Sequence, residues 1–295
     1  MSGQPGLGVR LRRAAAAAAR TRGQRRAAAL TARLEARNRT GRDPVVGTLP
    51  VVLSLTSHAE RLDTVHLAIE SIAAGSVRPR RLILWVDDER FLAQPSDGIR
   101  RLQERGLELR LTRDLGPYKK SFPTLPELGP DDLLVTADDD QLYPRTWLAA
   151  LAAAARRWPA VVHCHRARVV SFDGDQIAPY ARWPMAYTTR PRFRHFATGA
   201  SGVIYPRRVI EAFIAGGEGF LDVAPRADDI WLHRIAVDAG VRIAQVSAVP
   251  KHYPIIPGSQ AEALNTENLR AGANDSQLAA TYTATTLARL RADVG

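Results

Sequence analysis

Three adjacent carboxylates, Asp138, Asp139 and Asp140, close the apolar run Leu133-Leu134-Val135-Thr136-Ala137. Carboxylates this close repel and raise one another's pKa unless a cation lies between them, and hard divalent ions such as Mn²⁺ or Mg²⁺ take oxygen ligands of this type. In extended backbone, residues two apart share a face, so Asp138 and Asp140 aim together. A solvated acidic turn or a helix cap uses the same residues, and spacing alone leaves both readings open. A second pair, Asp228-Asp229, opens a predicted helix. Again there are two readings: a carboxylate that takes a proton from a hydroxyl, or a cap whose charge suits the helix dipole. His163 and His165 alternate around Cys164. Two ligands without a third make a poor metal set, and structural burial is the favoured reading.

The elements that must carry these groups follow from hydrophobic periodicity. Apolar runs at 51–56, 81–86, 107–111 and 131–137 read as strands, the second ending in Asp87-Asp88 and the fourth in the acidic triplet. Val65, Ile69 and Ile72, and then Trp147, Leu148, Leu151, Ala155 and Trp158, fall at helical spacing. Strand alternating with helix predicts a mostly parallel, doubly wound sheet over residues 50–165. Beyond it the pattern loosens. Strands are predicted at 161–165, 168–172 and 203–205, and a helix from Asp228 to Val237 that closes at Gly240. A loop is expected over 250–276 and a last helix over 276–291. The loop 182–194, with Tyr187 and Phe193, reads either as a face toward an acidic or carbohydrate acceptor or as an ordinary loop.

Charge divides the chain unevenly. Residues 1–42 hold eleven Arg and one Glu, which is +10 of the net +11, so the remainder carries no broad basic face of the kind nucleic acid needs. Six alanines closed by Arg20 are too short and too weakly apolar for a signal-peptide core or a membrane span. Residues 1–43 are therefore expected to be a basic tail, disordered or marginally helical, outside a single domain over 44–295. Contact with an anionic membrane surface ranks ahead of nucleic acid for this tail, whose composition also suits an organellar transit peptide. One cysteine excludes an internal disulfide framework and fits a reducing compartment. The expectation is a cytoplasmic protein, with peripheral contact at the inner face of the membrane left open.

The motifs add up to a resemblance. The strand ending in Asp138-Asp139-Asp140, with Leu53-Ser54-Leu55-Thr56 at the first strand and Val86-Asp87-Asp88 at the second, resembles a nucleotide-sugar glycosyltransferase of the GT-A fold. Gly116-Pro117-Tyr118-Lys119-Lys120, the stretch from Thr198 to Tyr205, Asp228-Asp229-Ile230-Trp231-Leu232 and Asn274-Asp275-Ser276-Gln277-Leu278 resemble a bacterial, family 2-like group within it that builds polysaccharides. The resemblance covers about residues 50–282, and the Gln/Arg/Trp signature of processive synthases is missing. It implies an α/β, Rossmann-like GT-A sheet with a nucleotide-binding half over 44–165 and a less regular acceptor half over 166–295. It further implies Mn²⁺ or Mg²⁺ held by Asp138 and Asp140, with Asp139 between them, against the phosphates of a nucleoside-diphosphate sugar. Thr56, Ser57, Arg61 and Asp87 match positions that cradle the nucleoside, Lys119 would touch phosphate, and His252 would add a metal ligand. Asp229, ahead of Asp228, matches the base of an inverting transfer to a glycan or lipid-linked hydroxyl, and Gly199, Ser201 and Gly202 would turn beside that acceptor.

Competing classes differ by absences. A nucleotidyltransferase would carry a Gly-rich loop after its first strand, where this chain reads Thr56-Ser57-His58-Ala59-Glu60. An Asp-based phosphatase needs its nucleophile on that strand, which carries Ser54 and Thr56. A non-catalytic glycan- or nucleotide-binding module leaves the two acidic groups unexplained.

Overall fold

The computed structural model describes residues 7–259 and 273–293. The four predicted strands are present as β1 (Leu49–Thr56), β2 (Pro79–Val86), β3 (Leu107–Leu111) and β4 (Leu133–Thr136). Asp131 and Asp132 stay outside β4, because the buried Asp132 carboxylate pairs with Arg80 and accepts from Gly129 N at 2.9 Å. Alternate β1 side chains enter different cores. Val51, Leu53 and Leu55 pack with Val65, Ile69 and Ile72 of helix α2 (Val65–Ala73), while Val52 joins Ile83 and Trp85 on the opposite face. That second face is closed by the turns at 116–127, where Thr124 Oγ1 bonds Ser54 Oγ at 3.0 Å and accepts from Trp85 Nε1 at 2.9 Å. Burial on both faces explains why these strands read as continuous apolar runs.

Short helices α3 (Glu89–Ala93) and α4 (Asp97–Gln103) link β2 to β3, and α5 (Trp147–Arg157) follows β4. Strands β5 (Val162–Cys164), β6 (Ala167–Val169), β7 (Phe172–Asp173), β8 (Gln176–Ile177), β9 (His195–Ala197) and β10 (Val203–Tyr205) come next. The chain then forms α6 (Arg207–Gly216), α7 (Phe220–Val223), α8 (Asp228–Asp238) and β11 (Ile243–Gln245). The central sheet has seven strands in the order β11-β5-β10-β4-β1-β2-β3; β10 alone runs antiparallel. This mixed α/β sheet agrees with the expected class and is consistent with a Rossmann-like GT-A arrangement. It does not stop at residue 165, since β10 and β11 come from the less regular half. The three-residue strands β9 and β11 and the ten-residue helix α6, between Pro206 and Gly217, are additions to the predicted elements.

Two further expectations change. The basic segment is helix α1 (Leu7–Thr40), and its last third is docked rather than free. Leu34 packs with Leu67 and Ala68 of α2 and with Leu142 and Ile256, and Asn38, fully buried, donates to Glu70 Oε1 at 3.1 Å and Gly98 O at 3.0 Å. Buried Glu70 also pairs with Arg105 and, at 3.3 Å, with Arg37. Ala27, Leu30, Leu34 and Asn38 form a face at helical spacing that the segment's average composition conceals. Residues 21–26 are all exposed. No helix among the described residues is long and apolar enough to cross a membrane. The single C-terminal helix is two, α9 (Ala273–Thr281) and α10 (Ala284–Ala292), because Thr283 caps the second through Thr286 N at 3.1 Å. Of the loop predicted over 250–276, residues 260–272 lie outside the described residues.

Candidate active site

The sheet brings the two acidic groups together. Parallel pairing sets Ser54 against Thr136, so the chain leaves β1 and β4 side by side, and Ser57 and Arg61 arrive beside the triplet. Antiparallel β10 starts at Val203 opposite Thr136 and Cys164, which places the Thr198–Gly202 turn and the end of β5 on the same rim. Carboxyl ends of parallel strands are where open α/β sheets bind ligands. There a cleft of about 560 Å³ is lined by Arg61, Lys120, Asp138, Asp139, Asp140, Ser201, Asp228, Asp229 and His252, among others.

Within the triplet the three carboxylates have different partners. Asp139 is fully engaged, accepting from Ser57 Oγ at 2.7 Å and Arg61 Nη1 at 2.9 Å. Asp140 lies 3.5 Å from Arg61 Nη2. Asp138 accepts from Gln141 Nε2 at 2.9 Å, its N–H donates to Tyr143 Oη at 2.7 Å, and Lys120 Nζ is 3.6 Å from Oδ1. Burial, together with the charges of Asp140 and Asp139, raises Asp138 to about 6 against the pull of Lys120.

Of the two adjacent lysines of the Gly116–Lys120 motif, the one that faces the cleft is Lys120 rather than Lys119. The Lys120 ammonium is 3.1 Å from Asp228 Oδ2 as well as 3.6 Å from Asp138, so one lysine joins the triplet to the second acidic pair. Burial opposes the Lys120 charge, yet Asp228 and Asp138 outweigh it and hold the pKa above the usual lysine range. Lys119, the lysine singled out above, turns the other way, pairing with Asp87 and lying 3.2 Å from Asp114. In an extended or turn backbone neighbours point apart, and only the fold says which faces the cleft. Thr56 donates to Trp85 O at 2.9 Å, so Thr56, Asp87 and Lys119 sit at the rim of β1 and β2 outside the lining of the cleft.

Asp228 and Asp229 start α8, and Asp229 Oδ1 accepts from Ile230 N at 3.0 Å. Burial and the neighbouring Asp228 charge raise Asp229 to about 7, Lys120 opposing. The loop ahead of α8 is pinned by Tyr118, whose hydroxyl donates to Ala224 O at 2.7 Å and whose ring stacks on Phe220 at 3.8 Å. The Asn274-Asp275-Ser276-Gln277 motif pins two cleft loops: Asp275 Oδ1 accepts from Tyr180 N at 2.7 Å and Gln277 Oε1 from Arg226 N at 3.0 Å.

The Gly199-Ala200-Ser201-Gly202 turn has structural reasons too. A Cβ on Gly202 (φ +95°) would stand 2.3 Å from the Trp147 ring, and Ser201 itself has φ +75°. Ser201 Oγ donates to Lys251 O at 3.1 Å and Gln141 Oε1 at 3.3 Å, tying the triplet's flank to the His252 loop. His252 is exposed at the cleft edge, its pKa lowered by partial burial and by Arg166. His163 and His165 are buried against Trp158 O and Trp147 O, at 3.0 and 3.1 Å, as structural residues. The loop 182–194 contributes no lining residue: Arg182 pairs with Asp173, Phe193 packs on the core, and Tyr187 is exposed.

No three or more His, Cys, Asp and Glu side chains among the described residues are placed as a metal cage. Asp139 is held most closely, by Ser57 and Arg61, while Asp138 and Asp140, paired more loosely with Lys120 and Arg61, both line the cleft. Two carboxylates with ligand phosphates and water completing the shell is the usual mode for Mg²⁺-like ions, so these residues fit a divalent cation bound together with a phosphorylated ligand.

No family model matches the chain, and no curated protein is similar to it in sequence. Among solved structures it is similar to a mannosyltransferase from Pyrobaculum calidifontis in complex with GDP-Man and Mn²⁺, at 17% identity and a TM-score of 0.46 over 90% of this chain and 79% of that one. It is also similar to GalNAc-T7 with UDP, GalNAc and Mn²⁺ (13% identity, TM-score 0.45, 68% of this chain), and it spans only 43% of that chain's length. A third likeness is to the 4-diphosphocytidyl-2C-methyl-D-erythritol synthase of Anaerococcus prevotii, at 13% identity and a TM-score of 0.45 over 75% of this chain and 95% of that one. All three likenesses are remote.

Proposed function

We propose that this protein is a metal-dependent glycosyltransferase that moves a sugar from a nucleoside-diphosphate donor to a hydroxyl of a glycan or lipid-linked acceptor, with inversion. The observation that carries the reading is Lys120, which holds Asp138 at 3.6 Å and Asp228 at 3.1 Å and so sets the two acidic groups across one cleft. Asp138 and Asp140 would hold the cation, which when bound neutralises the diphosphate as it departs. Arg61 and Ser57 fix Asp139 and with it the backbone of the triplet. Asp229 is the base: with a pKa of about 7 it is ionised in useful fraction near neutral pH and still basic enough to take a proton. The acceptor oxygen forms its bond to the anomeric carbon as the bond from that carbon to the phosphate oxygen breaks. The hydroxyl proton passes to Asp229, and the electron pair leaves on the nucleoside diphosphate. Asp228, tied to Lys120 at 3.1 Å, takes the direct ion pair at the start of α8, while Asp229 feels that cation only from further off.

This reading takes the bacterial polysaccharide group as the setting and the cytoplasm as the compartment. The exposed basic residues Arg22, Arg25 and Arg26 of α1 would meet an anionic inner membrane face by charge alone. Release of nucleoside diphosphate from UDP- and GDP-sugars with Mn²⁺ tests the function. Turnover of one donor by wild type, and none by Asp140→Asn, is the expected result; equal turnover by both would refute the site.

A further inference from the structure

One wall of the cleft carries cationic groups that the reaction above does not use. Arg166 directly precedes β6 and Arg168 is its middle residue, so the two share a face, while Ala167 between them is buried in the core. Both line the cleft. Arg168 is held in place, with Nη1 donating to Trp183 O at 2.7 Å and the guanidinium 5.1 Å from the centroid of the Tyr180 ring. Arg166 has no side-chain hydrogen bond or ion pair among the described residues, and Nε of each arginine is buried without a partner. Burial depresses the Arg166 guanidinium, and the like charge of Arg168 adds to this. Tyr180 and Asp229 line the same cleft as the two arginines, and the Tyr180 phenol feels the charges of Asp229 and of both arginines, while Arg166 also feels the Asp138 carboxylate. On the donor side the cations are already engaged, Arg61 with Asp139 and Asp140 and Lys120 with Asp138 and Asp228. Buried guanidinium donors lacking an acceptor are unfavourable, and their fork geometry matches an oxyanion.

We propose that Arg166 and Arg168 form an acceptor subsite for an oxyanion, so that the acceptor carries a carboxylate or phosphate near the hydroxyl that is glycosylated. This rests on the glycosyltransferase reading. Saturation-transfer NMR on the full chain, with UDP or GDP and Mn²⁺ present, would compare methyl glucuronide with methyl glucoside and glycerol phosphate with glycerol. One anionic probe should bind roughly tenfold or more tightly than its neutral counterpart, and which one does so tells carboxylate from phosphate. Arg166→Gln should remove that preference and keep the nucleotide-dependent thermal shift, which also shows that the variant is folded. Equal binding of charged and neutral probes, or a preference that survives in Arg166→Gln, would overturn the subsite. Loss of nucleotide binding in Arg166→Gln would do so as well, by moving the arginine to the donor. Failure of every nucleotide to bind wild type would instead overturn the glycosyltransferase reading, and the acceptor assignment with it.

Discussion

Asp229→Asn separates what the proposed base costs the fold from what it does for the reaction. Burial and Asp228 raise its carboxyl from the ordinary 3.8 to about 7. Between those values the folded chain holds a proton that the unfolded chain has released. Wild-type stability therefore falls as pH rises through this window and levels off above about 7. At about 1.4 kcal/mol per pKa unit, the window from pH 5 to 7 is worth at most about 3 kcal/mol, and solvent reaching a partly buried carboxyl cuts this to about half. Asparagine does not titrate, so the variant's Tm should gain about 3–6 °C on wild type between pH 5 and pH 8. Thermal melts of both proteins across that range measure the gain, with kcat falling by about 10² or more and donor affinity unchanged. A Tm difference that does not vary with pH would refute the raised carboxyl and the reason for choosing Asp229 over Asp228.

Other expectations follow from single contacts. Lys120→Met leaves Asp138 and Asp228 without the cation they share and should cut turnover by about 10² or more, whereas Lys119→Met, losing its contacts to Asp87 and Asp114, should cost ~1–3 kcal/mol of stability first. Steady-state kinetics and melts on both variants separate the roles, and an equal kinetic loss would bring Lys119 back to the donor. Gly202→Ala sets a Cβ 2.3 Å from the Trp147 ring and should destabilise by about 3 kcal/mol or more in urea melts; a change below about 1 kcal/mol would contradict the packing. Deleting residues 1–26 should change stability by no more than about 0.5 kcal/mol, while deleting 1–42 removes Leu34 and Asn38 and should cost ~3 kcal/mol or more. Equal melts for the two truncations would show that α1 does not support the fold.

The four β1–β4 strands and the acidic residues at their ends were legible because each lies in a run long enough to show its period. The triplet and Asp228-Asp229 were put in one site only by the resemblance, since their meeting in space depends on β10 entering antiparallel beside β4 and on a lysine whose neighbour looks identical in sequence. Docking of α1 escaped notice because Ala27, Leu30, Leu34 and Asn38 are spread through an Arg-rich stretch, and buried Asn38 and Glu70 read as surface residues until their partners are seen. Arg166 and Arg168 were invisible for a similar reason: an arginine two places from another matters only once the strand edge beneath them is known.

The most direct test of the account is nucleotide binding that depends on the metal and on the triplet. UDP, GDP and their sugars, each with and without Mn²⁺, would be screened by thermal shift on wild type and Asp138→Asn. Ligand at about 100 times its Kd adds ~2.7 kcal/mol, a rise of about 5–10 °C. The account predicts such a rise for one nucleotide only with Mn²⁺ and its loss in the variant. No rise with any nucleotide, or one that needs neither Mn²⁺ nor Asp138, would contradict it.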